Sequence, residues 1–302
     1  MGQPFDPNKA VLLGKMVLAA YDMYEHPGPD PLRPPPSTLI PPEYELSAWI
    51  QMSDFILHDK LPKFYGIVVH EVANPDSRII AIRGTEGIVE WMDDAFAIPV
   101  SFHQVHSAGR VAGGFDKIYS TMRVVKHRAP KALVEGAPAP AMPAEFTGSF
   151  ADQLDQLAES GEAERGLAPR AKDLAPRLRP TEVAGHSLGA ALTTLFAMEN
   201  DSKRRFQLST LYTFASPRVG TMEFVHAFNR LPLDSWRIFN SRDIVPKLPL
   251  HIPIFFDYAH VDSPYEVDSS KFAKNNPICW HAMQTYLHGI DGTYPLRPEC
   301  AV

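Results

Sequence analysis

Apolar residues along this chain recur at two different spacings, and the alternation between the two sketches a fold. Near the N-terminus Val11, Leu12, Met16, Leu18, Ala19 and Tyr21 spread apolar contacts around two faces of a helix, with Asp6 suited to cap it and Pro7 to fill its first position. Residues 63–72 and 78–84 are instead strand-like runs joined by the turn Ala73, Asn74, Pro75, Asp76, Ser77, a hairpin that feeds Arg83, Gly84 and Thr85. Residues 181–184 read as a short strand after Pro180, and residues 190–198, nearly all apolar or small, as a helix buried against a sheet. Residues 236–240 form a further strand, ended by a loop whose prolines stop ladder pairing. After Pro277, the residues Ile278, Trp280, Met283, Tyr286 and Leu287 follow at roughly helical spacing and predict a last helix entered near His281.

The remaining segments predict connections. Residues 27–42 are proline-rich and must run as an extended, irregular strap. Between 129 and 180 the composition shifts to Ala, Pro, Glu and Arg, an insertion holding a loop over 136–146 and a polar surface helix over 150–160, with Phe150, Leu154 and Leu157 at helical spacing. No internal repeat interrupts this order. Strands alternating with helices predict an α/β domain with a mostly parallel central sheet flanked by helices.

Ser187 lies between Gly185 and Gly189, where the strand ending at 184 passes into the helix beginning near 190. A serine hydroxyl is a poor nucleophile until a base takes its proton, so it must stand out on a sharp turn where a histidine can reach it. Flanking glycines permit that turn, and Leu188, next in the chain, can aim its backbone N–H at a developing oxyanion. The pattern is a nucleophile elbow in the strand, turn, helix order that the chemistry requires.

A base and an orienting acid follow the serine in hydrolases built on such elbows. Of twelve histidines, His226, His251, His260, His281 and His288 lie C-terminal to Ser187; the intervening acids include Asp201, Asp234, Asp243, Asp257, Asp262 and Asp268. Asp243 falls just past the C-terminal end of the 236–240 strand, where open α/β sheets collect their chemistry. His281 stands at the expected entry to the last helix, and His288, able to face the same side of that helix, is its rival.

Four separated segments carry a family resemblance: IAIRGTEGIVEWMDD at 80–94, VAGHSLGAAL at 183–192, LYTFASPRVG at 211–220 and NSRDIVPKLP at 240–249, with HAMQTYLH at 281–288 similar to the plant branch. Together they resemble the class 3 lipases, the group of fungal triacylglycerol lipases and plant acylhydrolases. The resemblance implies an α/β-hydrolase fold and a Ser-His-Asp triad of Ser187 as nucleophile, Asp243 as orienting acid and His281 as base. It implies that Thr85 supplies the oxyanion hole through its backbone N–H and its hydroxyl, together with Leu188. It also implies a lid over residues 86–100, an amphipathic stretch in which Trp91 and Phe96 face substrate. Phe255 and Phe256, between acid and base, belong either to a buried strand or to the wall of an acyl pocket. Ala112 or Gly113 stands near the place where the family usually has a histidine, a local departure outside the triad.

Length and charge narrow the picture further. A chain of 302 residues can bury a substantial core as one catalytic domain spanning 1–302, with the Pro/Ala-rich insertion near 129–180. A net charge of −6 without basic patches argues against a nucleic-acid partner, and the expected partner is a lipid or small ester, met in solution or at a lipid–water interface. Cys279 and Cys300 suggest no metal cluster, and they could pair only if the C-terminal tail folds back. The mechanism calls for no cofactor and no metal. Charged residues interrupt each apolar run of the N-terminus, so no secretory signal is expected, and nothing approaches the roughly 20 apolar residues that cross a bilayer. The chain therefore reads as soluble, cytoplasmic or secreted after loss of a leader. The expected function is hydrolysis of carboxylic esters of lipids, as a triacylglycerol lipase or carboxylesterase working through an acyl-enzyme; rival functions on the same fold are a phospholipase A1, an aryl or feruloyl esterase, and a non-catalytic lipase-like binding module.

Overall fold

The computed structural model describes residues 3–53, 61–85, 97–127, 146–167, 179–250, 257–261 and 263–302. In chain order the elements are α1 (Pro7–Glu25), β1 (Tyr44–Ser53), β2 (Pro62–Glu71), β3 (Arg78–Ile82), β4 (Pro99–Ser101), β5 (Arg110–Ala112), α2 (Gly113–Tyr119), β6 (Arg123–Lys126) and α3 (Phe150–Glu164). They continue with β7 (Pro180–His186), α4 (Leu188–Lys203), β8 (Gln207–Phe214), β9 (Gly220–Thr221), α5 (Met222–Phe228), β10 (Asp234–Asn240), β11 (Tyr258–Ala259), β12 (Pro264–Val267), α6 (Pro277–His281) and α7 (Met283–Ile290).

Among the described residues, eight strands form one sheet in the order β12-β10-β8-β7-β3-β2-β1-β6. From β12 to β3 the neighbours run parallel, each joined to the next by a crossover; from β3 through β2 and β1 to β6 they run antiparallel. A second, four-stranded sheet, β11-β9-β5-β4, lies apart. Both faces of the main sheet are covered, which explains why its strands read as continuous apolar runs. Along β3, Ile79 and Ala81 pack with α1 and α7, while Ile80 and Ile82 pack with α2, α3 and α4. The α/β-hydrolase arrangement expected from the sequence is present, with its reactive loops at the C-terminal ends of the parallel strands.

Local chemistry accounts for the element ends. The Asp6 side chain accepts from the backbone N–H groups of Asn8 and Lys9, and Pro7 opens α1 as expected. On α3, Ser149 and Asp152 form a capping box, and Phe150, Leu154 and Leu157 are buried, so this helix of the insertion packs on the core along one face. The hairpin of β2 and β3 is antiparallel, as its sequence predicts. Residues 27–42 contain neither helix nor strand, in keeping with their prolines.

Two features differ from the sequence pattern. The last helix is interrupted: α6 ends at His281, Ala282 adopts an extended conformation with ψ 133°, and α7 begins at Met283. His281 is therefore the last residue of a short helix rather than the first of a long one. Strand β1 carries no alternation for a sequence reader to find, because Ala48, Ile50 and Met52 face one layer of the core and Leu46 and Trp49 the other. Its polar Gln51 donates through its side-chain amide to the carbonyl of Leu32, which anchors the proline-rich strap to the strand.

Candidate active site

Ser187 joins β7 to α4 in a conformation that L-residues rarely adopt, with φ 56° and ψ −122°. Its backbone N–H donates to the carbonyl of Phe214, and Ala190 N–H donates back to the Ser187 carbonyl at 3.0 Å. Strain of this kind costs on the order of 1–3 kcal/mol and persists only where the surroundings hold it. Here β3 does the holding. A Cβ on Gly189 would stand 2.3 Å from the carbonyl oxygen of Ile82, so only glycine lets the first turn of α4 come that close to the strand. Gly84 is equally confined: a Cβ there would meet the Ser187 Cβ at 2.8 Å, which puts the chain entering Thr85 directly beside the serine.

Asp243 lies beyond the end of β10 with its N–H bonded to the Asn240 carbonyl. Its Oδ1 accepts from Val245 N–H at 3.0 Å, and its Oδ2 accepts both His281 Nδ1 at 2.6 Å and the Tyr286 hydroxyl at 2.7 Å. Burial alone would push this carboxyl up, but the charge of His281 and these three hydrogen bonds outweigh it and hold the pKa below the ordinary 3.8. Tyr286 is pushed the other way, well above the phenol range, first by burial and then by the neighbouring carboxylate. Its hydroxyl therefore stays protonated and donates.

α6 carries His281 and is fixed from several directions. Asn276 caps it through Cys279 N–H at 2.9 Å, and Asn240 donates to the Trp280 carbonyl at 2.8 Å. Cys279 and Cys300 form a disulfide, so the C-terminal tail does fold back onto this helix. The backbone carbonyl of His281 accepts from Nε2 of His186, the residue before the serine, at 2.9 Å. The imidazole rings of His186 and His281 lie 4.6 Å apart.

Among the described residues six buried side-chain polar atoms lack a hydrogen-bond partner, and three of them are Ser187 Oγ, His281 Nε2 and Thr85 Oγ1. Buried polar groups are otherwise almost always paired. Ser187, Asp243, His281 and Thr85 are each at most 5% exposed, so the unpaired atoms sit in a region largely closed to bulk water. Leu188 opens α4 immediately after the serine.

The other candidates fall elsewhere. His288 Nδ1 bonds the Tyr294 carbonyl and its ring packs on Phe272, while His260 Nε2 bonds the Pro246 carbonyl; both have structural partners. Asp234 opens β10 at the opposite end of the strand from Asp243. Trp91, Phe96, Phe255, Phe256, His251 and Asp262 lie outside the described residues, as does most of the expected lid. Sequence reasoning missed Tyr286, Tyr21, His186 and Asn240. Tyr286 was legible as an apolar position of the last helix, but nothing local marks its hydroxyl as a partner of Asp243. The described residues contain no group of three or more His, Cys, Asp and Glu poised to hold a metal, and none of their helices is long and apolar enough to cross a membrane.

A mostly parallel sheet with a strained serine between strand and helix, and an acid and histidine hydrogen-bonded beyond later strands, defines an α/β-hydrolase. The model of the family described as lipase (class 3) matches residues 79–252, more than half of the chain, and the chain belongs to that family. The match takes in Thr85, Ser187 and Asp243 and stops short of His281. Phospholipase A1-II 1 of Oryza sativa subsp. indica is 29% identical over 236 residues, covering 74% of this chain and 52% of its own length. Phospholipase A1-II 4 of Oryza sativa subsp. japonica is 30% identical over 226 residues, covering 72% and 51%. The chain thus spans about half the length of the curated relatives it matches. Among solved structures, a triacylglycerol lipase whose catalytic centre is described as a serine protease triad is 21% identical with a TM-score of 0.57, covering 90% of this chain and 84% of its own. The lipase of Rhizomucor miehei in complex with its propeptide is 20% identical with a TM-score of 0.53, covering 86% and 68%. These two share the fold.

Proposed function

We propose that this chain is a carboxylic ester hydrolase of lipids, with Ser187 as nucleophile, His281 as base, Asp243 as orienting acid and Thr85 with Leu188 as oxyanion donors. The observation that carries the proposal is the set of unpaired buried atoms, Ser187 Oγ, His281 Nε2 and Thr85 Oγ1, beside a His281–Asp243 pair of 2.6 Å. Ser187 Oγ attacks the ester carbonyl as His281 Nε2 takes its proton, and the carbonyl oxygen gains charge facing the Thr85 and Leu188 N–H groups. Asp243 keeps the proton on Nδ1, leaving Nε2 free to accept. His281 then protonates the departing alcohol as the C–O bond breaks; water, deprotonated by the same Nε2, releases the fatty acid and restores the serine.

The substrate reading leans on the sequence relatives. The two rice relatives are phospholipases A1 at 29–30% identity, whereas a triacylglycerol lipase among the solved structures stands at 21%. This favours a phospholipid acyl ester over a triglyceride, with aryl esters third. Ile244 and Leu250, 45% and 63% exposed on the loop that carries the acid, offer apolar contacts to a lipid surface. The disulfide fits an oxidising compartment.

The test is fatty-acid release from phosphatidylcholine vesicles, emulsified trioctanoin and p-nitrophenyl esters by wild type and Ser187→Ala. The serine variant should lose on the order of 10⁶ in kcat while keeping its fold. Wild type without turnover on every ester would leave the binding-module reading; a triglyceride preferred over phospholipid would overturn the head-group choice.

A further inference from the structure

Tyr21 belongs to α1, far along the chain from each residue given a chemical role, yet its hydroxyl stands between two halves of the site. It accepts from Gly84 N–H at 2.8 Å and lies 2.8 Å from Nδ1 of His186. The hydrogen-bond network fixes the direction of the second bond. His186 Nε2 faces the His281 carbonyl at 2.9 Å, and a carbonyl can only accept, so Nε2 carries the proton and Nδ1 receives the Tyr21 O–H. Burial, reinforced by the charge of His281, pushes the His186 pKa well below 6.5 and keeps the ring neutral. Burial likewise pushes Tyr21 up to about 12, so its proton remains available to donate.

Gly84 is held from its other side too. Its carbonyl accepts from Arg83 Nη1 at 2.7 Å, and the Arg83 guanidinium lies over the rings of Tyr24 and Tyr65, 3.5 and 4.2 Å from their centroids. In a trans peptide the N–H of Thr85 points opposite to the Gly84 carbonyl. Pinning that carbonyl on Arg83 and the Gly84 N–H on Tyr21 therefore sets the direction of the Thr85 N–H before substrate arrives. Little slack remains, because a Cβ on Gly84 would lie 2.7 Å from the Tyr21 hydroxyl.

We propose that Tyr21 and His186 are positioning residues: the chain of bonds from Gly84 N–H through Tyr21 and His186 to the His281 carbonyl holds the oxyanion donor and the base in fixed register across Ser187. Neither residue touches the reacting atoms. Their effect falls on the transition state, whose oxyanion and proton demand both groups at once, more than on ground-state binding. The inference rests on the hydrolase reading above.

Tyr21→Phe keeps the ring and removes both bonds. It should lower kcat about tenfold or more, short of the 10² to 10³ for deleting a donor outright, with KM within about twofold. The distinguishing readout is a long-chain trifluoromethyl ketone, which adds to the serine and places an oxyanion in the hole. Its affinity should fall in parallel with kcat, which a merely structural role would not produce at unchanged KM. A kcat within threefold of wild type, or a lowered kcat with full ketone affinity, would overturn the proposal. Should Tyr21→Phe fail to fold, His186→Phe, which removes both the acceptor for Tyr21 and the donor to the His281 carbonyl, is read by the same two criteria. A wild type inactive on all esters overturns the hydrolase reading and this inference with it; an active wild type with an unaffected variant overturns the inference alone.

Discussion

The Tyr286 hydroxyl and His281 Nδ1 meet on one oxygen of Asp243, at 2.7 and 2.6 Å. The tyrosine thus shares the work of holding a buried carboxylate ionised. Tyr286→Phe should destabilise the protein by about 1.5–3 kcal/mol, the range for hydrogen bonds to charged groups. It should reduce kcat far less than the roughly 10⁴ expected of Asp243→Asn, which would leave the imidazole in the wrong tautomer. Because folding lowers the Asp243 pKa below 3.8, the unfolded chain holds the proton more tightly; the stability this group contributes is present above about that pH and is lost as pH falls through the folded value. Removing the Tyr286 donor raises the folded value and flattens that acid limb. Urea unfolding between pH 2 and 6 reads it, and equal slopes in wild type and variant would refute it.

Histidine substitutions separate the proposed base from its neighbours. His281→Ala should be as damaging as Ser187→Ala, because members of one catalytic unit are grossly non-additive. His288→Ala and His260→Ala, which remove rings bonded to the Tyr294 and Pro246 carbonyls, should each cost less than about tenfold in kcat. Steady-state kinetics on one soluble ester decide it, and a dead His288→Ala would displace His281.

Thr85 offers a graded measurement, since its N–H survives any change of side chain. With the hydroxyl unpaired among the described residues, Thr85→Val should lower kcat by roughly 10² to 10³ at little change in KM, and Thr85→Ser should keep most activity. Full activity in Thr85→Val would leave the backbone as the sole donor at this position.

What was legible in the sequence is what is local. The elbow announces itself because Gly185, Ser187 and Gly189 act within one turn, and the ends of α1, β2 and β3 because caps and turn residues mark them. Strand β1 was not legible, since burial on both faces erases the alternation that betrays a strand. The break at Ala282 was hidden because the apolar spacing runs on across it; tertiary bonds to Asn240 and His186 hold α6 apart from α7. Tyr21 and His186 are 165 positions apart, and no pattern along the chain encodes a contact made only once the sheet is assembled.

The conformation of Ser187 also means that this fold is less robust than its own backbone would allow. A glycine accepts φ 56° freely, whereas any other residue there is held against its preference. Ser187→Gly should therefore melt above Ser187→Ala while both are inert, a difference that calorimetry can read and that equal melting temperatures would contradict. On the proposed assignment of Ser187 as nucleophile, drift toward greater thermal robustness at this position would lead away from the chemistry and toward glycine.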